Sequence, residues 1–348
     1  MQKKNRVAWI DAVRGVGILA VVLFHTGFLP FINISDPILM SFMLPVFLFT
    51  GGWLARDTPL TWARFFPTVR RLLTPFFLAG GVSFAFWLLV RTRYPQGVLL
   101  QPLGGELAKW LTGRNPYFDS PLWFIPTYLF ATVLMHIIAP WWGRRDRVTQ
   151  CLLGLDFVLV GLILAREYVY LVFSYDLVAL FIGMMMLGSV ASKVCLPRYL
   201  QTAWSDAAAT CLFVAIALVN GYIDMFQRQF GNGFLYILSA VLGTYAVARL
   251  AVRGLAAGSR VAHWLATLGR SSMTVLVWHW PLMQWLTYGF YTVGILTPLA
   301  SSYTKTSFTL GVGGGEHVVL QLVFCTLYAA ISLFMILGAK GSLQGDCL

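Results

Sequence analysis

The sequence predicts an all-α polytopic membrane protein with about ten transmembrane helices. Its 348 residues are 58% hydrophobic and only 11% charged, whereas charged residues make up about 25% of an ordinary soluble domain. Apolar stretches of about 20 residues, long enough to cross a bilayer as a helix, recur along the whole chain. We therefore expect one transmembrane domain over residues 1–340 and a short cytoplasmic tail over residues 341–348.

The predicted spans follow the apolar stretches in chain order. The first begins after a basic N-terminal segment, and the third follows the basic sequence RFFPTVRR. The fourth and the ninth carry Pro126 and Pro281, where kinks are expected. The ten stretches lie near residues 8–29, 37–55, 72–92, 121–140, 149–166, 168–190, 206–225, 233–250, 272–295 and 318–338.

The net charge of +12 is distributed among these hydrophobic segments and not gathered on one domain. A nucleic-acid partner is therefore not predicted. With the N-terminus inside, most Lys and Arg residues fall on the cytoplasmic side, which places both termini there and the longest loops, near 93–120 and 296–317, outside. The five cysteines form no CxxC or CxxH arrangement, so neither a metal site nor a disulfide framework is indicated.

The first predicted helix carries Arg14 and His25 on the same face. Their separation corresponds to three full turns plus about 20°, or about 16 Å along the helix axis. A cation and an imidazole inside a bilayer cost several kcal/mol unless they are paired, hydrated or used. The spacing therefore points to a functional site. The alternative is structural: Asp11 pairs with Arg14, and His25 caps the helix near the outer interface.

A second basic cluster precedes the third predicted span on the cytoplasmic side. It contains Arg64, Arg70 and Arg71, each of which alone is typical of positive-inside anchoring. Together with Arg14, these arginines would form a cationic pocket for a phosphorylated ligand that enters from the cytoplasm. With His25 deeper in the membrane, such a site suits a long molecule with phosphates at one end and a reactive group at the other. Coenzyme A thioesters have that shape.

Several motifs occur in the order of a known membrane enzyme family. The segment RVAWIDAVRGVGILAVVLFHTG resembles the opening helix of membrane acyltransferase family 3, whose hallmark is a basic residue, ten residues and then histidine. LPVFLFTGGWLARD is similar to the second-helix pattern, with Thr50 in the place of serine, and VRRLLTPFF resembles the basic entry to the third helix. PLWFIPTYLF, with Trp123, and LGRSSMTVLVWHWPLM, with His279 and Pro281, resemble the later patterns. The Leu-Trp-Phe segment fits the branch of fucose 4-O-acetylases and surface-polysaccharide O-acyltransferases.

The resemblance implies transfer of an acyl group, expected to be acetyl, from cytoplasmic acyl-CoA to a hydroxyl of a cell-surface or lipid-linked glycan. In this interpretation His25 is the catalytic base, and Arg14, Arg70 and Arg71 bind the CoA phosphates. Acetyl-CoA is the donor substrate, and no permanently bound cofactor is implied. The implied location is the bacterial inner (cytoplasmic) membrane, with multiple passes through the bilayer. The other residues implied to line the site are Thr50, Trp123 and His279.

Three alternatives stay open in the sequence. The acceptor hydroxyl can attack the thioester directly with His25 as general base, or His25 can first form an acyl-imidazole. Asp156 and Asp176 lie within predicted spans, so we expect each to face the bundle interior, and either could orient His25. The alternative function is a transporter or exporter of a small anionic or glycan substrate, because intramembrane charge on many helices suits such proteins as well.

Overall fold

The computed structural model describes residues 7–27, 31–55, 61–93, 101–114, 116–167, 171–194, 202–298, 308–310 and 318–345. Within these ranges the chain forms thirteen α-helices and one short antiparallel hairpin. Two 3₁₀ turns, Tyr117–Trp123 and Val172–Leu177, lead directly into α-helices. In chain order the elements are α1 (Ala8–His25), α2 (Ile32–Phe42), α3 (Pro45–Trp53), α4 (Trp62–Val90), α5 (Leu103–Leu111), α6 (Phe124–Trp142), α7 (Arg147–Arg166), α8 (Val178–Ala191), α9 (Ala203–Asn220), α10 (Gly233–Ala256), α11 (Arg260–Arg270), α12 (Ser272–Thr292), β1 (Leu296–Pro298), β2 (Phe308–Leu310) and α13 (Val318–Gly345).

The predicted polytopic membrane fold is confirmed. In the described part of the chain, nine helical segments are long and apolar enough to cross a membrane. One of them, Asn33–Trp53, contains both α2 and α3, which are separated by a turn just before Pro45. The predicted span 272–295 forms α12 but is not among the nine, because its Trp, Tyr and His side chains make it less apolar. Of the predicted tail 341–348, residues 341–345 continue α13, and residues 346–348 lie outside the described ranges.

Polar side chains define where several of the helices begin. The Asp146 carboxylate accepts a hydrogen bond from the Thr149 amide at the start of α7, and Asn232 accepts from two amides at the start of α10. Each cap satisfies amide groups that have no partner inside the helix. The hydrogen bonds from the Thr149 hydroxyl and amide hold the pKa of the exposed Asp146 carboxyl below its ordinary value.

The chain divides into two compact units. The first contains the described residues of 7–20, 33–69 and 126–272. Its helices approach one another closely through glycine: a Cβ atom at Gly52 would overlap the Met185 carbonyl, and one at Gly188 would overlap the Phe49 carbonyl. These reciprocal contacts bring the backbones of α3 and α8 together. Small residues allow such packing in membrane helices, where van der Waals contact drives association.

The second unit contains the described residues of 21–32, 70–125 and 273–345. Its aromatic core is built on Trp87, Val90 and Phe118, which are almost completely buried. Rings from α4, α5, the Tyr117–Trp123 turn and α12 pack around this core. α13 joins the same unit, since the Tyr328 and Thr287 hydroxyls lie 3.2 Å apart. The additional rings are Phe84, Phe86, Trp110, Tyr117, Tyr288 and Tyr291.

Candidate active site

The second unit brings together two histidines that are 254 residues apart in sequence. His25 is the last residue of α1, and His279 lies in α12 two residues before Pro281. Nδ1 of His25 and Nε2 of His279 are 3.0 Å apart, which is hydrogen-bond distance. Nδ1 of His279 is 2.9 Å from the Val275 carbonyl oxygen, and His279 is completely buried.

The Val275 carbonyl determines which ring nitrogens of His279 and His25 carry protons. A carbonyl oxygen only accepts hydrogen bonds, so Nδ1 of His279 carries a proton and donates it. In a neutral imidazole the other nitrogen then holds a lone pair, and Nε2 of His279 accepts from Nδ1 of His25. By the same rule, the lone pair of neutral His25 lies on Nε2. The hydrogen bonds therefore assign the tautomers of both rings and make His25 Nε2 the basic nitrogen of the pair.

Aromatic rings flank the His25 imidazole. The Trp280 ring meets it edge to face, with ring centroids 5.6 Å apart, and the Phe24 ring lies 5.2 Å away. Trp280 is itself buried. These flat side chains restrict how the imidazole can turn, so packing and the hydrogen bond to His279 act together on its orientation.

Arg14 lies in the first unit and is held by Thr50. Its Nε donates to the Thr50 hydroxyl oxygen at 3.0 Å, and that hydroxyl donates to the Val46 carbonyl oxygen at 2.6 Å. Thr50 is buried on α3, so it fixes one edge of the guanidinium. Asp11 was the alternative partner, but no ion pair joins it to Arg14 among the residues described. The outer edge of the Arg14 guanidinium, Nη1 and Nη2, is the one suited to paired contacts with anion oxygens.

The other predicted donor-binding residues are found on α4. Arg70 and Arg71 are both exposed, and they belong to the second unit, whereas Arg14 belongs to the first. The pocket that would join the three arginines stays a prediction. The Arg64 side chain lies outside the described part of the chain.

Trp123 ends the 3₁₀ turn before α6. It is 7% exposed and meets Phe124 edge to face, with centroids 6.1 Å apart. Its turn belongs to the same unit as His25 and His279. Its role as a wall of the substrate channel stays a prediction, and its burial in an aromatic environment suits that role.

One of the two acidic predictions is wrong. Asp156 is exposed on α7, not inside the bundle. The buried face of that helix carries Gly154, Val158 and Gly161, and a residue two positions after Gly154 points about 200° away from it. Hydropathy alone does not reveal which face of a helix is buried, so the rule that membrane carboxylates face inwards failed here.

Asp176 is fully buried as predicted, and its partner is Arg228. Nε of Arg228 donates to Oδ2 at 2.8 Å, and Nη2 donates to Oδ1 at 3.0 Å. The Leu171 amide also donates to Oδ1. Both carboxylate oxygens are thus used within the first unit. The imidazole partner of His25 is His279, which the sequence placed only among the lining residues.

A metal site within the described ranges would need several ligating side chains close together. No group of three or more His, Cys, Asp or Glu side chains is placed there to hold a metal ion. The second unit holds an imidazole pair flanked by aromatic rings, and the first unit holds a guanidinium positioned by Thr50. Such groups can bind, orient and move a proton.

Comparison with known proteins assigns the family. The model of the family 3 acyltransferase domain matches residues 7–339, nearly the whole chain. No curated protein and no solved structure matches the chain. The expectation drawn from the ordered motifs is thereby confirmed at the level of the family. The chain belongs to acyltransferase family 3.

Proposed function

We propose that this membrane acyltransferase transfers an acyl group, acetyl in the simplest case, from cytoplasmic acyl-CoA to a hydroxyl of a cell-surface or lipid-linked glycan. The observation that carries the proposal is the hydrogen-bonded chain from the Val275 carbonyl through His279 to His25, which puts a lone pair on His25 Nε2. A hydroxyl is a poor nucleophile at neutral pH and needs such a base.

The proton balance of direct transfer follows from the hydrogen bonds between Val275, His279 and His25. His25 Nε2 takes the hydroxyl proton as the oxygen attacks the thioester carbonyl. The carbon–sulfur bond then breaks, and the CoA thiolate leaves and takes the proton back from His25. While His25 is an imidazolium, its Nδ1–H donates to His279 Nε2, and that hydrogen bond to a charged group stabilises the intermediate state.

The acyl-imidazole route uses the same atom. His25 Nε2 attacks the thioester carbonyl, CoA leaves as the thiolate, and the His25 Nδ1 proton can pass to His279 Nε2. The CoA thiolate takes the extra proton from His279. The acceptor hydroxyl then attacks the acyl group, the bond from the acyl carbon to His25 Nε2 breaks, and the hydroxyl proton restores the neutral imidazole pair. This route suits a donor and an acceptor that reach the enzyme from opposite sides of the membrane.

Arginines bind the donor in this proposal. Thr50 positions Arg14, and the Nη1–Nη2 edge of the guanidinium has the geometry to bind two phosphate oxygens. Arg70 and Arg71 are exposed on α4, where a solvated nucleotide can reach them. The bacterial inner membrane and the fucose-acetylase branch belong to the proposal as well. They are supported by the motif order and by the membrane-spanning helices.

The proposal is tested with purified protein in nanodiscs and radiolabelled acetyl-CoA. The purified wild type in nanodiscs should bind acetyl-CoA saturably. When native membranes are added as the source of glycan, the wild type should transfer the label to it. His25→Ala should lower transfer by about 10²–10⁴-fold and leave donor binding in place, and Arg14→Ala should weaken donor binding.

Matched controls come from α11, where His263 and Arg260 are exposed. His263→Ala and Arg260→Ala should behave like the wild type. Transfer at the wild-type rate by folded His25→Ala overturns the assignment of the base. Glycan flux that requires no acyl-CoA would instead support a transporter.

A further inference from the structure

We propose that one face of α4 binds the sugar ring of the acyl acceptor, and that Asp119 receives a hydrogen bond from a ring hydroxyl. The identification of the ligand as the acyl acceptor rests on the proposed function. The location rests on a separate observation, a set of buried polar atoms that α4 and its neighbours leave without partners. All of them belong to the second unit, which also holds His25 and His279.

Asp119 is the central group. It is completely buried in the Tyr117–Trp123 turn, and its Oδ2 accepts a hydrogen bond from the Ser83 hydroxyl at 2.8 Å. Its Oδ1 is also buried and has no hydrogen-bond partner among the described residues. Proteins satisfy nearly all buried polar groups, so a carboxyl oxygen left in this way indicates a ligand or an ordered water.

Two buried N–H groups lie along the same helix. The Trp110 indole packs against α4 at Gly80, where a Cβ atom would overlap the ring. The Arg91 guanidinium lies over the Trp87 ring, 4.7 Å from its centroid. Trp110 Nε1 and Arg91 Nη1 are buried, and neither finds an acceptor in the part of the chain that is described.

The spacing on α4 places these groups in a row. Gly80, Ser83 and Trp87 on α4, and Arg91 directly after its end, follow one another at three- and four-residue intervals. The Arg91 amide still donates to the Trp87 carbonyl, so all four share one face of the helix. The row extends about 16 Å along the axis. Ser83 binds Asp119 and lies between Gly80, which contacts Trp110, and Arg91. Along the row, the acceptor oxygen of Asp119 therefore comes between the Trp110 and Arg91 N–H donors.

The rings of this row favour a sugar over other ligands. Phe84 and Trp110 are half-buried, and their rings stack with centroids 6.3 Å apart. A sugar hydroxyl donates to a carboxylate and accepts from an N–H group at the same time, while the C–H face of the ring packs on aromatic side chains. An acyl chain can do neither polar task. A fully ionised phosphate group has no hydrogen to donate to Asp119 Oδ1.

The location agrees with an acceptor that arrives from outside. The predicted topology puts the loop 93–120 on the outer side, and Trp110 and Asp119 belong to that segment. The core around Trp87 also includes Tyr288 and Tyr291 of α12, the helix that carries His279. The sugar site and the imidazole pair are thus connected through one helix.

The test uses saturation-transfer NMR with the protein in nanodiscs and three probes, the methyl glycosides of glucose, galactose and fucose. We expect saturable binding of at least one probe to the wild type. Asp119→Asn should weaken it about tenfold or more, and Trp110→Phe, which removes the indole N–H, about three- to tenfold. Asp156→Asn and Trp62→Phe are the matched controls, since both side chains are exposed, and neither should change the affinity.

Several outcomes overturn the inference. Absence of saturable binding by folded wild type does so, and so does unchanged affinity in both variants, because water alone would then satisfy the buried atoms. Melting temperatures identify a variant that fails to fold, and Trp110→Phe decides the result if Asp119→Asn does not fold. Acetyl-CoA binding is measured on the same samples. Acetyl-CoA binding without glycoside binding leaves the proposed function standing and removes the sugar site, whereas the reverse pattern removes the acyl-CoA function and assigns the sugar site to a glycan carrier.

Discussion

Asp176 and Asp119 are both completely buried, and both lie in a 3₁₀ turn that leads into a helix. Their surroundings differ in one respect. Arg228 binds both carboxylate oxygens of Asp176, so that the charge and the hydrogen-bonding capacity of the group are used inside the protein. Asp119 has one oxygen bound by Ser83 and a second oxygen with no partner in the described chain.

The comparison distinguishes two kinds of buried polar group in a membrane protein: those that stabilise the fold and those that can bind a ligand. A buried charge is tolerated when a partner compensates it, and the pair then holds two segments in place. A buried polar atom without a partner keeps its capacity for a molecule from outside. The His25–His279 pair has a chemical role in the proposed function, because its hydrogen bonds put a lone pair on His25 Nε2.

The largest expected effect comes from breaking the satisfied pair. Arg228→Ala leaves Asp176 buried and unpaired, so we expect a loss of about 3–5 kcal/mol in the free energy of unfolding. Both side chains are at most 1% exposed, so water cannot compensate. The measurement is the unfolding midpoint in denaturant or on heating, with the protein in one detergent throughout.

The exposed Arg166 at the end of α7 provides the control. Arg166→Ala should leave the midpoint close to that of the wild type. The double variant Asp176→Asn/Arg228→Met removes both charges and should recover a large part of the loss. An unchanged midpoint in Arg228→Ala would show that the pair is not structural, and the contrast with Asp119 would then disappear.

Helices and family were predictable from the sequence because they depend on local patterns. Apolar stretches of about 20 residues locate the spans, and the Arg14–His25 spacing identifies one helix face. Thr50 is predicted as a site residue for the same reason, because the motif that contains it is contiguous. What the motif did not reveal is that Thr50 binds Arg14 directly.

The remaining features depend on contacts between distant segments. The assignment of a lone pair to His25 requires His279 and the Val275 carbonyl, and no local pattern pairs residues 254 positions apart. Arg228 lies in a loop, where the sequence gives no sign of burial, yet the fold buries it against Asp176. Asp156 was misplaced because hydropathy does not distinguish the buried face of α7 from the exposed one.

An intermediate effect is expected at the imidazole pair. His279→Leu removes the acceptor of the His25 Nδ1–H and should lower kcat about 10²-fold, since the basic tautomer is no longer favoured. His279→Gln keeps an amide oxygen near the position of Nε2 and should retain much more activity. Because neither change touches the arginines, KM for acetyl-CoA should stay near the wild-type value.

Steady-state kinetics and the unfolding midpoint of both variants check this prediction. A merely structural His279 would lower the midpoint and would give no advantage to Gln over Leu. Equal kcat values in folded Gln and Leu variants would therefore contradict the positioning role, whereas rescue by Gln would sharpen the contrast with the Asp176 pair.

The smallest effect is expected at a third aspartate, Asp146, which is exposed and caps α7. Hydrogen bonds from Thr149 hold its pKa below the ordinary value of 3.8, so the ionised cap stabilises the folded state above that pH, and the contribution is lost as the pH falls through the lowered pKa. Asp146→Ala should therefore lower the melting temperature slightly at pH 7, and the difference from the wild type should shrink as the pH falls below about 4. Asp146→Asn keeps a neutral acceptor and should show a smaller difference that varies little with pH. A constant difference between wild type and Asp146→Ala across this range would contradict the ionised cap, and a difference as large as that of Arg228→Ala would show that burial is not what separates these carboxylates.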